Sequence, residues 1–368
     1  MQGGDRLKKV PVRIIDTSFN LLGEIDDYES LQFTRRFFRA GEFEMHISIG
    51  KEGVAELQQD RIIVLGKQAH KAGIIKHIEI ALDESGIEKL VVRGQTLGGL
   101  LDRRITIADD YDRVRGTAET VIKHYVTNHL IDSPYAARNV PFLICAPDQQ
   151  RGMTTPWQAR YEPLDSVVEE IAKWCDIGWF IRLDFALKKW VLDVLVGRNL
   201  TVSQSTLPPV IFSTDFDNVQ SQQFIDNTDA WKNVGYAGGK GEEEMRLIQV
   251  VGEAAGFDRR EVFIDASSAE DVIELASMGE QKLSESKRLT TFGGRVLDTN
   301  SFIYERDWDL GDIITLQNRK WRVTMDTRII EVKEIFEQAP KVEVTFGEDL
   351  PTVKGILNGL KNQVKRSG

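Results

Sequence analysis

One group of β-rich strings occurs twice along this chain, in the same order and 251 to 255 residues apart. Arg61-Ile62-Ile63-Val64-Leu65 corresponds to Asp312-Ile313-Ile314-Thr315-Leu316. Ile74-Ile75-Lys76-His77-Ile78-Glu79-Ile80 corresponds to Ile329-Ile330-Glu331-Val332-Lys333-Glu334-Ile335. Lys89-Leu90-Val91-Val92-Arg93-Gly94 corresponds to Val342-Glu343-Val344-Thr345-Phe346-Gly347. The offset drifts by a few residues, as loop-length changes between strands produce. The period is too long for a stacked solenoid. The repeat therefore predicts two similar β-domains, each of several short strands closed as a barrel or sandwich. Two similar barrels in one chain have an architectural consequence. Three copies would place six barrels in a ring, able to match a six-fold partner, while the intervening segments break that symmetry outside.

Length and composition agree. A chain of 368 residues exceeds one ordinary core, so several domains are expected. A net charge of -10 repels phosphate backbones and argues against a general nucleic-acid binder. No apolar run approaches the roughly 20 residues that cross a bilayer. The polar start, Met1 to Lys9, does not read as a secretory leader. Two cysteines, Cys145 and Cys175, exclude a disulfide-rich scaffold and a four-cysteine zinc site, and read as reduced thiols of a cytoplasmically made chain.

In the first segment, Phe43, Met45, Ile47 and Ile49 alternate with Glu42, Glu44, His46 and Ser48, the period of a half-buried strand. Strands are also expected over Tyr28 to Phe38, Arg61 to Leu65, Gly73 to Leu82 and Ile87 to Arg93. The last two are joined by the turn Asp83-Glu84-Ser85-Gly86, and a short helix is expected at Gly53 to Gln59. In the second segment, Thr117 caps a helix running through Leu130, with Glu119 at its positive end. A second helix runs from Leu164 to Cys175, stopped by Gly178. A hairpin pairs Trp179 to Leu183 with Trp190 to Val196.

The third segment reads as strands at Val210 to Phe212, Val219 to Ile225, Trp231 to Tyr236 and Arg246 to Gly252. A helix begins at Ser267-Ser268 by capping-box logic and continues to about Leu289. Strands follow at Ser301 to Tyr304, Ile313 to Leu316, Trp321 to Met325, Arg328 to Phe336 and Val342 to Phe346. A helix closes the chain over Thr352 to Arg366.

Chemistry-bearing patterns are few. His124 and His129 are five apart, which on an α-helix points them in different directions, unlike the four-residue spacing of zinc helices. Neither cysteine stands in a context that marks a thiolate nucleophile. Asp215-Phe216-Asp217 and Asp307-Trp308-Asp309-Leu310-Gly311-Asp312 are acidic clusters that recruit a cation in some proteins. The second lacks calcium-loop spacing and reads as a tight turn: Gly311 permits the backbone, Trp308 and Leu310 pack inward, and the aspartates stay wet. Glu242-Glu243-Glu244 reads as a solvated loop, and Gly238 to Gly241 lacks phosphate-loop spacing. No catalytic, cofactor or metal site is assigned.

The ends of the chain carry a family resemblance. At one end stand Gly41-Glu42-Phe43-Glu44, Arg61-Ile62-Ile63, Gly73-Ile74-Ile75 and Val92-Arg93-Gly94-Gln95-Thr96-Leu97, running into Leu100-Leu101-Asp102-Arg103-Arg104. At the other stand Asp307-Trp308-Asp309-Leu310-Gly311-Asp312-Ile313-Ile314-Thr315, Arg328-Ile329-Ile330-Glu331-Val332 and Val344-Thr345-Phe346-Gly347. Together these resemble the baseplate hub proteins of siphophage tails, related to the amino-terminal hub module of tail-associated lysins and to the trimeric hubs of contractile tails.

The resemblance implies an α+β, β-rich fold of two similar β-barrel domains with α/β inserts. The first barrel would cover 1–107, an α/β domain 108–205, and a split second barrel 206–255 and 291–350. A helical insert would cover 256–290 and a carboxy-terminal helix 351–368. It implies a homotrimeric structural ring in the virion, without catalysis, cofactor or membrane insertion. The ring would sit beneath the hexameric distal tail protein and tail tube, meet the tape measure protein, and carry a fibre or a separate tip or lysin protein. DNA would pass through its lumen without specific binding, so acidic residues are expected to outnumber basic ones there. Lysin-type hubs continue into a fibre or hydrolase and this sequence does not, so wall degradation would reside on another polypeptide. As signature residues of the fold, not catalytic ones, we take Gly41, Phe43, Gly73, Gly94, Asp307, Trp308, Asp309, Gly311, Asp312 and Gly347. Two competing readings are a wall-degrading enzyme using carboxylates such as Asp215 or Asp307, and a glycan-binding module stacking sugars on Trp174, Trp179 and Trp190.

Overall fold

The computed structural model describes residues 9–82, 88–241, 243–296 and 302–347. The turn expected at Asp83 to Gly86, Glu242 and the expected helix over Thr352 to Arg366 lie outside them. Two compact units are formed, one drawn from Met1–Ser221 and Gly294–Val344, the other from Gln222–Gly293 and Thr345–Gly368. Among the described residues no helix is long and apolar enough to cross a membrane.

The chain is β-rich. In order it forms β1 (Val12–Ile15), β2 (Leu21–Ile25), β3 (Ser30–Arg36), β4 (Glu42–Ser48), β5 (Ile62–Leu65), β6 (Ala72–Leu82) and β7 (Glu88–Thr96). Then come β8 (Asp112–Thr117), α1 (Ala118–Val126), β9 (Leu143–Cys145), β10 (Thr154–Ala159), α2 (Leu164–Trp174), β11 (Gly178–Asp184), β12 (Lys189–Leu195), β13 (Asn199–Leu200) and β14 (Ile211–Ser213). The rest is β15 (Val219–Asn227), β16 (Val234–Gly238), β17 (Ile248–Val251), β18 (Glu261–Asp265), α3 (Val272–Ser284), β19 (Leu289–Val296), β20 (Ile313–Asn318), β21 (Val323–Phe336) and β22 (Lys341–Gly347).

The main sheet runs β15-β19-β22-β21-β3-β4-β7-β6-β5-β1-β2, with β20 beside β21 and with β13 and β14 parallel to β20. The alternation read in β4 holds: Phe43, Met45 and Ile47 are buried. They pack with Leu31, Phe33, Ile63, Ile75, Leu90 and Val92 in one core. A second core collects the apolar stripes of α1 and α2, the β9-β12-β11 sheet and the turn Leu97–Arg103. On α2, Leu164, Val167, Val168, Ile171 and Ala172 are buried, the spacing that makes one helical face.

Several expectations change. The helix expected at Gly53 to Gln59 is a single 3-10 turn, Val54–Glu56. Asp176, not Gly178, ends α2: it adopts a left-handed φ of 49°, and the Ile177 amide donates to Ala172 O at 3.0 Å, closing the helix. Gly178 instead lies against the Phe37 ring, where an added Cβ would come within 2.4 Å. The cap of α3 is Asp271, which accepts from the Glu274 amide at 2.8 Å, rather than Ser267 or Ser268. Residues 302–304 form no strand, only a bridge from Tyr304 to Trp308. The two strands expected from Trp321 to Phe336 are one 14-residue strand, β21.

Candidate assembly site at the joint between the repeats

The sequence repeat reappears as a repeated strand order. The run β3-β4-β7-β6-β5 is matched by β15-β19-β22-β21-β20, so the strings paired in the sequence occupy matching places in the sheet. The two runs meet where β21 pairs antiparallel with β3, from Glu331 opposite Arg36 to Phe336 opposite Leu31. β21 serves both sides in turn: its first half, Val323 to Arg328, pairs with β20, and its second half with β3.

A buried ionic cluster closes this joint. Lys71 is 1% exposed, and its Nζ donates to Glu334 Oε1 at 2.7 Å and lies 2.9 Å from Glu305 Oε1. Arg35 donates to Asp309 Oδ1 and to the Tyr304 hydroxyl, both at 2.5 Å. His70 meets Glu305 at 2.8 Å. On the other face of the joint, Arg36 bridges Glu331 at 2.6 Å and Glu42 at 2.5 Å. Among the described residues, Arg35 Nε and Glu334 Oε2 meet no hydrogen-bond partner. Desolvation makes such a cluster expensive to form and more expensive to break.

Glu305 gives the joint a pH dependence. Burial alone would raise its carboxyl, but His70, Lys71 and Arg35 outweigh that and hold it at about 2, against an ordinary 4.5. A depressed folded-state value contributes stability above pH 4.5 that is lost as the pH falls toward 2. Solvent screening of the partly exposed carboxyl reduces the contribution to on the order of 1–2 kcal/mol. Denaturant melts between pH 6 and pH 2 should show a shallower pH slope in Glu305→Gln than in the parent chain; identical slopes would remove Glu305 from this role.

The turn that carries Asp309 is the acidic cluster read in the sequence. Gly311 has φ of 90°, and Trp308 and Leu310 are buried, as expected. Trp308 meets Phe212 edge-on at 5.5 Å. The expectation that all the aspartates stay wet is wrong for Asp312, which is 2% exposed. Its Oδ1 accepts from the Arg198 amide at 2.7 Å, and its Oδ2 from Arg198 Nη2 at 2.6 Å and the Asp309 amide at 2.8 Å. Asp307 accepts from the Ile303 amide at 2.7 Å and from Arg306, whose guanidinium holds its carboxyl below the ordinary range. The cluster's carboxylates thus serve the turn's own backbone and nearby arginines.

The signature glycines make room. The Phe43 ring lies over Gly73 and Gly94, so three residues distant in sequence pack as one group. A Cβ added at Gly94 would stand 2.0 Å from Ile74 O and 2.5 Å from the Phe43 ring; at Gly73, 2.7 Å from the same ring. A Cβ at Gly41 would lie 1.9 Å from Thr34 O, and the Gly41 amide donates to Thr96 Oγ1 at 2.9 Å. Gly347 has φ of 91°, with Thr290 O 2.5 Å from where a Cβ would stand.

Other candidate groups are engaged elsewhere. His124 and His129 are brought together, against expectation, because α1 passes into a π-helical turn, Thr127–Ile131, which puts residues five apart on one side. Their Nε2 atoms contact Asp112 Oδ1 at 2.7 Å and Oδ2 at 2.8 Å. Burial would raise the Asp112 carboxyl, but the two imidazoles hold it well below the usual range. Glu119, expected only to face the helix dipole, is fully buried and takes a bidentate Arg151 at 2.9 Å together with Lys123. Among the described residues no group of three or more His, Cys, Asp or Glu could hold a metal ion.

Burial raises both thiols, Cys175 to about 12, which suppresses thiolate formation. Trp179 and Trp190 are core residues and Trp174 is part-buried with its indole donating to Thr155, so these rings form no exposed sugar platform. Asp215 and Asp217 are exposed on the turn after β14, with Asp215 3.4 Å from Arg319. Sequence reasoning missed Lys71, Arg35 and Glu334. The available signal was a glutamate set beside Ile335-Phe336 in an expected strand.

The sequence model of the Siphovirus ReqiPepy6 Gp37-like proteins matches residues 11–348. No curated protein sequence matches. Among solved structures, the fold is similar to a tail protein from Neisseria meningitidis MC58, at 15% identity and TM-score 0.58, covering 92% of this chain and 96% of that one. It is similar to the 43 kDa tail protein of prophage MuSo2 from Shewanella oneidensis, at 11% identity and TM-score 0.60, covering 91% and 98%. It is also similar to prophage tail protein gp18 from Listeria monocytogenes EGD-e, at 11% identity and TM-score 0.55, covering 96% and 99%.

Proposed function

The chain belongs to the family of Siphovirus ReqiPepy6 Gp37-like proteins, and from that we propose that it is the structural hub of a phage or phage-like tail. Three copies form a ring that continues the tail tube at its tip. The observation that carries this reading is the doubled strand order with its internal joint at β21 and β3. A chain that already holds two similar sheet runs side by side supplies one third of a six-part ring. The folds of the three bacterial and prophage tail proteins support the same architecture.

On this reading each run belongs to a barrel, the first over 1–107 and the second over 206–255 and 291–350. The α/β domain over 108–205, the helical insert over 256–290 and a helix over 351–368 decorate the ring. The distal tail protein and the tube hexamers meet it on one side. The tape measure protein and a fibre or separate tip protein complete its contacts. The signature residues from Gly41 to Gly347 hold strand spacing and the Asp307–Asp312 turn rather than any reacting group. We assign the chain no hydrolysis of cell walls and an acidic lumen along which DNA slides. The first test is the mass of the purified chain in light scattering at micromolar concentration: three copies support the hub, and a stable monomer contradicts it.

A further inference from the structure

The two repeats share a string but not its burial. In β21, Glu334, Ile335 and Phe336 are 1%, 4% and 1% exposed, because β3 covers that edge. The matching half of β6 has no such cover. β5 pairs only with Ala72 to Ile74, and the backbone bonds continue only to Ile75. From His77 to Leu82 the strand bonds to β7 on one side and, among the described residues, to nothing on the other. Ile80 and Leu82 stand 60% and 67% exposed there. Unpaired amides beside exposed aliphatic side chains are a template for another strand.

The strand order names that other strand. In the internal joint, β21 of the second run pairs with β3, the first strand of the first run. By the repeat, β6 stands where β21 stands and β15 where β3 stands. β15 ends the sheet path, and Gln220, Ser221, Gln223 and Phe224 on it are exposed. The other terminal strand, β2, is flanked instead by the turn after Gly53: a Cβ added at Gly23 would lie 3.3 Å from the Glu56 side chain, and one added at Gly53 3.1 Å from Glu24 O.

The geometry points to β6 of one copy pairing antiparallel with β15 of the next copy, repeating between chains the joint that β21 and β3 make within one. This contact is head-to-tail, so it propagates from copy to copy and gives a ring where the rotation closes, as the three-copy hub reading requires. It rests on the hub reading and specifies the edges that build the ring.

Two measurements on the full chain test it. Ile80→Lys with Leu82→Lys alters only exposed side chains, so its thermal melt should match the parent's while association weakens roughly 100-fold or more. Second, cysteines at Ile80 or Leu82, combined with cysteines at Ser221, Gln223 or Phe224, should cross-link copies under mild oxidation. The parent, which keeps Cys145 and Cys175, should not. A trimer that forms normally in the double-lysine variant, with none of the cysteine pairs cross-linking, overturns this pairing and leaves the hub reading intact. A parent chain that stays monomeric overturns both.

Discussion

Glu334→Ala is expected to lower the unfolding free energy by about 3–5 kcal/mol, the usual consequence of leaving a buried charge without its partner. Lys71 is 1% exposed and Glu334 is 1% exposed, so water cannot take the place of the lost carboxylate. Glu305, 2.9 Å from the same ammonium, softens the loss but already serves His70 and lies near Arg35. The pair sits 263 residues apart in the chain, so its rupture loosens the contact between β21 and the first repeat rather than one local turn. Removing both charges in Lys71→Met with Glu334→Leu should recover most of the stability, since an apolar pair of similar volume avoids the desolvation cost. Urea melts of the two variants check this. A loss below about 1 kcal/mol in Glu334→Ala would show that the cluster is not what holds the joint.

Gly94→Ala is expected to cost about 3 kcal/mol or more, at the upper end of overpacking changes. The new Cβ would stand 2.0 Å from Ile74 O, a backbone atom of the neighbouring strand, and 2.5 Å from the Phe43 ring. The ring can turn aside, but the carbonyl can move only if β6 and β7 separate. Gly73→Ala should cost less, because its conflicts are the Phe43 ring at 2.7 Å and Gln95 O at 2.8 Å, a far milder backbone approach than the 2.0 Å at Gly94. Adding Phe43→Leu should therefore rescue Gly73→Ala more than Gly94→Ala. Thermal melts of the four variants test this ordering, and equal costs at the two glycines would show that backbone approach is not the constraint.

What was legible in the sequence was what short-range pattern encodes. The alternation in β4 and the apolar stripe of α2 each fall within a dozen residues and are set by period alone, and the β11–β12 hairpin adds only a short local turn. The repeat was legible because it compares like with like across the chain. The ionic joint was not, since nothing near Glu334 announces Lys71, and Asp312 looked solvent-facing because its partner Arg198 lies 114 residues earlier. The histidine pair was misjudged for a different reason. An α-helical period was applied to a segment that becomes a π-turn, and that one change moves His129 onto Asp112 beside His124.

Imaging the pure chain by electron cryo-microscopy reads the ring itself. A hub trimer gives class averages with three-fold symmetry and six similar inner lobes, two from each chain, with the β6 edge of each copy against β15 of the next. Single particles of one chain, or a closed ring whose symmetry is not three-fold, would contradict it.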